Sequence, residues 1–159
     1  MREFSEKDAE KMYLLNRDFE VIKYTGDNSF ESINHAKSFI KDYSDYKRFG
    51  FGRWAVINKT TNDFIGWCGL KFCTSNSEVD LGFRIFKDYW NSGIAAETSK
   101  ACLEYDFTNL NINRIVGRAR IENLSSIRVL EKIGMRFFSG FTDSNGEWCV
   151  YEIYKNDFF

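Results

Sequence analysis

Asp88-Tyr89-Trp90-Asn91-Ser92-Gly93-Ile94-Ala95-Ala96-Glu97 is the stretch on which the reading of this chain turns. It joins a segment that reads as a strand, Glu78–Phe86, to one that reads as a helix, about Ile94–Thr108. In the strand, Val79, Leu81, Phe83 and Ile85 alternate with Glu78, Asp80, Gly82 and Arg84, so the two sets occupy opposite faces. In the helix, Ile94, Thr98, Ala101, Cys102 and Tyr105 form the expected inner face. Gly93 and Ala95 are small and stand at the helix start, where a ligand can approach the backbone. The first N–H groups of a helix have no partner within it, and such an end suits a phosphate or pyrophosphate. On spacing alone a plain strand-to-helix turn is the stronger reading. The stretch lacks the glycines of a dinucleotide fingerprint and the Lys of a P-loop.

Working upstream, Ser5 with Asp8 resembles a capping box, followed by a helix with Ala9, Met12, Tyr13 and Asn16 on one face. A second helix is expected from about Phe30 to Tyr46, with Ile33, Ala36, Ile40 and Tyr43 as its stripe. Phe51–Ile57 and Phe64–Phe72 read as a hairpin around the turn 58–63. Downstream come a strand, Arg114–Ile121, and a helix, Leu124–Ile133, that ends at Gly134. Two last strands, Met135–Phe141 and Trp148–Tyr154, flank a turn containing Asn145-Gly146. The order ααβββαβαββ, with a short strand allowed at the start, gives an α/β (α+β) class: one domain over residues 1–159, with a mixed sheet and a strand–helix–strand crossover in its middle.

Composition sets the outer limits. Lys plus Arg is 22 and Asp plus Glu 23, a net charge of −1, which excludes a broad basic footprint for nucleic acid. No apolar run approaches the ~18 residues that span a membrane, and the first eight residues hold no apolar leader, so a cytoplasmic location is expected. Cys68, Cys73, Cys102 and Cys149 form no C-x-x-C pair and His35 is the one histidine, so no metal site and free buried thiols are expected.

Several side chains are candidates for chemistry, each with a plainer alternative. Asn123 reads as the cap of its helix and Ser126 as its N3 residue, while a strand-end Asn also faces whatever lies between the central strands. Glu78 and Asp80 share a strand face and are candidate bases, or members of an ion-paired strand. Arg114, Arg118 and Arg120 share a face and are expected to pair with acids rather than meet a phosphate. Phe39, Tyr43, Tyr46, Phe49 and Phe51 either line a cleft or, the stronger reading, pack. Trp54, Trp67 and Trp148 read as core, His35 as surface, and Phe158-Phe159 as docked on the domain or in a dimer contact.

Two stretches taken together resemble the GNAT acetyltransferase superfamily, and within it the ribosomal-protein N-terminal acetyltransferase (RimJ/RimL-like) branch. The resemblance rests on Asp80-Leu81-Gly82-Phe83, on the turn Trp90–Glu97, and on Asn123, Ser126, Glu131, Lys132 and Gly134 in that order; the opening Arg2–Ala9 also resembles the family's first strand end and helix start. Asn91 stands where the family has Gly, a position Asn tolerates because it accepts left-handed backbone angles. Met135 replaces an aromatic, and Leu130 stands where many members carry a general-acid Tyr.

The resemblance implies acetyl transfer from acetyl-coenzyme A to a primary amine, either a protein N-terminus or a small molecule, by a monomer or homodimer. It implies central parallel strands that splay, a pantetheine arm bonded near Arg84, Ile85 and Phe86, and a pyrophosphate on Asn91, Ser92, Gly93, Ile94, Ala95 and Ala96, with Asn123 nearby. Glu78 or Asp80 would then deprotonate the amine, and Ser126, one turn before Leu130, would donate a hydrogen bond to the departing thiolate. The missing Tyr leaves a second reading open, a noncatalytic acyl-coenzyme A binder or sensor.

Overall fold

A computed structural model describes residues 1–159. The chain opens with a tight turn in which the Ser5 N–H donates to the Asp8 carboxylate at 2.8 Å and Arg2 grips both oxygens of that carboxylate at 2.7 Å. Arg2 also bridges to Ala55 through backbone hydrogen bonds, so the short strand allowed at the start is a single rung. Helix α1 (Ala9–Arg17) follows and buries Ala9, Met12, Leu15 and Asn16.

The chain then departs from expectation twice. A short helix α2 (Phe19–Ile22) is nucleated by Asp18, whose side chain accepts from the Glu20 N–H. The single helix expected over 30–46 is two, α3 (Ile33–Asp42) and α4 (Asp45–Phe49). The break falls at Tyr43, which is extended. Its hydroxyl accepts from the Arg53 N–H at 2.8 Å, while the Tyr46 hydroxyl donates to the Arg53 carbonyl and accepts from the Phe4 N–H at 3.3 Å. Two phenols thus fix one strand residue from both sides of the break. Gly50, at φ +76°, ends α4 in the left-handed conformation that favours glycine.

Six strands follow: β1 (Arg53–Ile57), β2 (Phe64–Cys73), β3 (Glu78–Ile85), β4 (Arg114–Arg120), β5 (Arg136–Asp143) and β6 (Gly146–Tyr154). Their spatial order is β1-β2-β3-β4-β6-β5. All neighbours are antiparallel except β3 and β4, which run parallel and pair at only Asp80↔Val116 and Leu81↔Gly117. The connection between them is α5 (Ile94–Asn109), the expected crossover. Helix α6 (Leu124–Lys132) links β4 to β5, and α7 (Lys155–Phe158) closes the chain with Phe158 against Phe107.

The sheet is covered on both faces. On one, α5 and α6 pack on Leu81, Ile85, Ile115, Ala119, Cys149 and Tyr151. On the other, Met12, Leu15, Ala36 and Ile40 of α1 and α3 pack on Ala55, Phe64 and Trp67. The buried face of α5 differs from the expected one. Thr98, Ser99, Cys102, Leu103, Asp106 and Phe107 face inward, while Ala101 and Tyr105 are exposed. Two polar residues inside the stripe, Ser99 and Asp106, disguise its phase.

All four cysteines are free thiols, Cys73 being the one not fully buried. No helix is long and apolar enough to cross a membrane.

Candidate functional site

Beyond Leu81↔Gly117 the parallel strands part. β3 stays paired to β2 as far as Gly66↔Ile85, and β4 to β6 as far as Arg120↔Trp148, with no rung between β3 and β4. A cavity of about 1150 Å³ occupies this split. Its walls are the Leu81–Ile85 stretch, the start of α5, the end of β4 and the start of α6.

Backbone alternation decides which groups of β3 look into the split. The Phe86 N–H donates to the Ile65 carbonyl at 3.0 Å, so Phe86 and Arg84 turn their backbones toward β2. Phe83 and Ile85 therefore turn theirs toward the split. The Ile85 carbonyl accepts from the Trp90 indole N–H at 2.8 Å, which leaves its N–H and both backbone groups of Phe83 as the open edge. Of the three backbone residues expected near the pantetheine, Ile85 is on this edge. Arg84 reaches the cavity by its side chain, and Phe86 lies off the wall, against the other core. Phe83 was missed because strand alternation from sequence assigns side chains to faces, not backbones to neighbours.

The edge leads to the N-terminus of α5. Asn91 (φ +57°) and Gly93 (φ +84°) are both left-handed, and a Cβ on Gly93 would meet nothing within 4 Å. The space above Gly93 is open, and Gly93, Ile94, Ala95, Ala96 and Asn91 line the cavity. Ser92 instead turns back, its hydroxyl donating to the Tyr89 carbonyl at 2.5 Å. A phosphate could be cradled here by free N–H groups at the positive end of a 16-residue helix.

Across the split, Asn123 caps α6, its side-chain oxygen accepting from the Ser126 N–H at 3.1 Å. The Ser126 backbone, not its hydroxyl, serves the cap. Ser126 is half-buried on the cavity wall, and Leu130, one turn further, is buried beside it. A Cβ on Gly117 would fall 2.7 Å from Leu130 Cδ2, so bare backbone at this point of β4 admits α6 to the mouth of the split.

Charges gather on the other face of the sheet. Arg118 bonds Asp80 at 2.5 Å and also Glu78; Arg114 bonds Glu78 and Glu152, each at 2.7 Å. Arg120 bonds Glu122 at 3.2 Å. All three arginines of β4 thus pair with acids. Burial pushes the Asp80 carboxyl above its ordinary range, against the pull of Arg118. Burial also raises Glu78, but the hydrogen bond from Arg114 and the charge of Arg118 bring it below. Arg84 is buried and bonds Asn16 and Asp27, the latter at 2.6 Å. Arg53 lies over the Trp67 ring at 4.3 Å, with its Nε buried and unbonded.

His35 is exposed on α3, and Phe39, Tyr43, Tyr46, Phe49 and Phe51 lie outside the cavity. Trp67 is core, and Trp148 stacks on Phe141 along the cavity rim. The arrangement provides an anion cradle, an unpaired strand edge for an extended polar chain, and ionisable groups where the strands part.

Comparison with known proteins gives this arrangement a family. Residues 1–136 match the model of the acetyltransferase (GNAT) domain. An uncharacterised N-acetyltransferase of Bacillus subtilis (strain 168), YnaD, is 32% identical over 152 residues, which is 93% of this chain and 86% of that protein. A solved GNAT-family acetyltransferase from Bacillus anthracis superposes with a TM-score of 0.83 at 27% identity, covering 98% of this chain and 93% of its own. A spermidine N-acetyltransferase from Vibrio cholerae, solved with CoA and spermine, shares the fold with a TM-score of 0.84 at 16% identity, over 99% of this chain and 95% of that one. The splayed parallel strands, the open helix N-terminus and the matched domain lead to one conclusion: the chain belongs to the GNAT acetyltransferase family.

Proposed function

We propose that this GNAT N-acetyltransferase moves the acetyl group of acetyl-coenzyme A to a primary amine that enters from the Glu78–Asp80 side of the split. One observation carries the reading: the unpaired edge at Phe83 and Ile85 runs directly into the open N-terminus at Gly93. An amide-bearing arm can complete the ladder along that edge while its pyrophosphate rests on the N–H groups of residues 91–96. A cosubstrate with an extended arm and a diphosphate fits both at once, whereas a bare nucleotide fits only the second. The Vibrio cholerae enzyme's complex with CoA and spermine supports this use of the fold.

The chemistry requires a neutral amine, a donor for the thioester oxygen and a hydrogen bond to the leaving sulfur. An α-amino group has a pKa near ~8, so at neutral pH most of it must lose a proton before attack. Asp80 is proposed to accept that proton, with Glu78 as the second carboxylate of the pair, because burial raises Asp80 and makes it the stronger base. A backbone N–H of the open edge polarises the thioester oxygen. The Ser126 hydroxyl, free of capping duty, donates to the thiolate, and water finally protonates it. Leu130 excludes the direct Tyr route.

The test is release of free thiol from acetyl-coenzyme A against a panel of amino acids, polyamines, aminoglycosides and N-terminal peptides, with product mass measured. Thiol release matched by an acetylated amine is the expected result. Tight coenzyme A binding without acetylation of any acceptor would reassign the chain to acyl-coenzyme A binding or sensing.

A further inference from the structure

We propose that the acceptor carries a carboxylate close to its amine, as an amino acid does, and that Arg53 binds it; this rests on the acetyl-transfer reading above. The acids on the amine side of the cavity are already engaged. Asp27 is bonded to Arg84, Asp80 to Arg118, and Glu78 to Arg114 and Arg118. Beyond the one amine whose proton Asp80 takes, a polycationic acceptor would find no carboxylate without an arginine already on it. The cations of the same wall are not all engaged. Arg53 and Lys71 line the cavity and neither forms an ion pair.

Arg53 is the better placed of the two. It is half-buried, whereas Lys71 is exposed. Its guanidinium is stacked over Trp67, and its Nε is shut from water with no acceptor. Its backbone is clamped by the Tyr43 and Tyr46 hydroxyls, so the side chain springs from a fixed point. Its Nη2 lies 3.3 Å from where a Cβ on Gly82 would stand. Gly82 is the first residue of β3 beyond the last rung with β4. The guanidinium therefore sits at the mouth of the split, where the amine has to meet the thioester. A short spacing between amine and carboxylate satisfies both positions at once.

The neighbourhood is otherwise unfavourable to a lone cation. Arg84 lies over the same Trp67 ring at 5.3 Å, a like charge. Asp80 lies within reach of the Arg53 charge but is bonded to Arg118, so the partly desolvated Arg53 guanidinium has no carboxylate in contact with it until an anion arrives. A planar guanidinium on an aromatic face presents paired N–H donors to a carboxylate, which an ammonium does not.

The experiment compares amino acids with their own carboxamides as acceptors, in the wild type and in Arg53→Gln and Arg53→Lys. Wild type should favour the carboxylate form by about 10- to 100-fold in kcat/KM, the range expected of a charged hydrogen bond. The preference should appear mainly in KM. In Arg53→Gln the ratio should collapse toward one, and Arg53→Lys should recover part of it. Retained stabilisation by coenzyme A certifies that the variants fold. A wild type that acetylates carboxamides or polyamines as well as amino acids would overturn the proposal, as would a ratio that survives in Arg53→Gln. Calorimetric titration of amino acids into the coenzyme A complex keeps it separate from the proposed reaction. If no acceptor is acetylated, binding lost in Arg53→Gln still supports the anion site, and absence of binding in the wild type sinks it.

Discussion

Asp106 has no exposed surface, and neither carboxylate oxygen has a hydrogen-bond partner. Burial pushes its pKa up to about 7 from an ordinary 3.8. The folded state therefore holds this proton more tightly than the unfolded chain does. Its effect on stability is absent below the unfolded value, grows unfavourable as pH rises from about 4 to 7, and is constant above that. At about 1.4 kcal/mol per unit, the loss is on the order of 4 kcal/mol. Denaturant titrations at pH 5 and pH 8 should show wild type weaker at pH 8 and Asp106→Asn with most of that difference removed; equal pH dependence in both would locate the effect elsewhere. Ser126→Ala belongs to the same scale. Loss of a transition-state hydrogen bond should lower kcat by about 10- to 100-fold, with coenzyme A affinity nearly intact. An unchanged kcat with lowered stability would assign Ser126 to the helix start alone. Asn123, Ser126 and the turn residues were legible in sequence because caps and turns are written in neighbouring residues. Arg53, Phe83 and Asp106 were not, because their importance depends on which strand or helix lies opposite.

The N-terminus of α5 concentrates the ligand-binding argument in one element. Gly93 has φ +84° and open space where a side chain would project. Valine there would suffer backbone strain of about 1–3 kcal/mol and fill the room meant for a pyrophosphate. Gly93→Val should abolish stabilisation by coenzyme A in thermal melts, with Gly93→Ala intermediate. If Gly93→Val still responded to the ligand, the phosphate would have to lie elsewhere. Strand positions were legible to within a few residues, since alternation and the Asn145-Gly146 turn are local signals. The helices were less so. Tyr43 breaks the expected second helix through contacts with Arg53, ten residues on, and Asp106 hides in the inner face of α5.

For the whole molecule, the expectation is ligand-linked stability. A ligand that binds only the folded state at 100 times its dissociation constant adds about 2.7 kcal/mol. In a domain of this size that corresponds to a rise of roughly 5–10 °C in Tm. Coenzyme A and acetyl-coenzyme A should produce it, with NAD and ATP doing less because they lack the arm that follows Phe83 and Ile85. Equal shifts with ATP would reduce the site to a general phosphate cradle. The fold class and crossover were legible from element order, and the family from three motifs in series. The depth of the split was not, since it depends on how few rungs join β3 to β4.

That pair of rungs has a kinetic meaning. β1, β2 and β3 are consecutive in the chain, and β4, β5 and β6 follow as a second group, each held by antiparallel neighbours. The only bridge between the two groups within the sheet is the contact of Asp80 and Leu81 with Val116 and Gly117. It can form only after α5 has carried the chain across, so it should be among the later steps of folding and the first place to breathe in the native state. Amide exchange would read this as fast deuteration at Phe83 and Ile85, slow deuteration at Phe86, and a slowing at the first two when the arm of coenzyme A is laid between the halves as a borrowed strand.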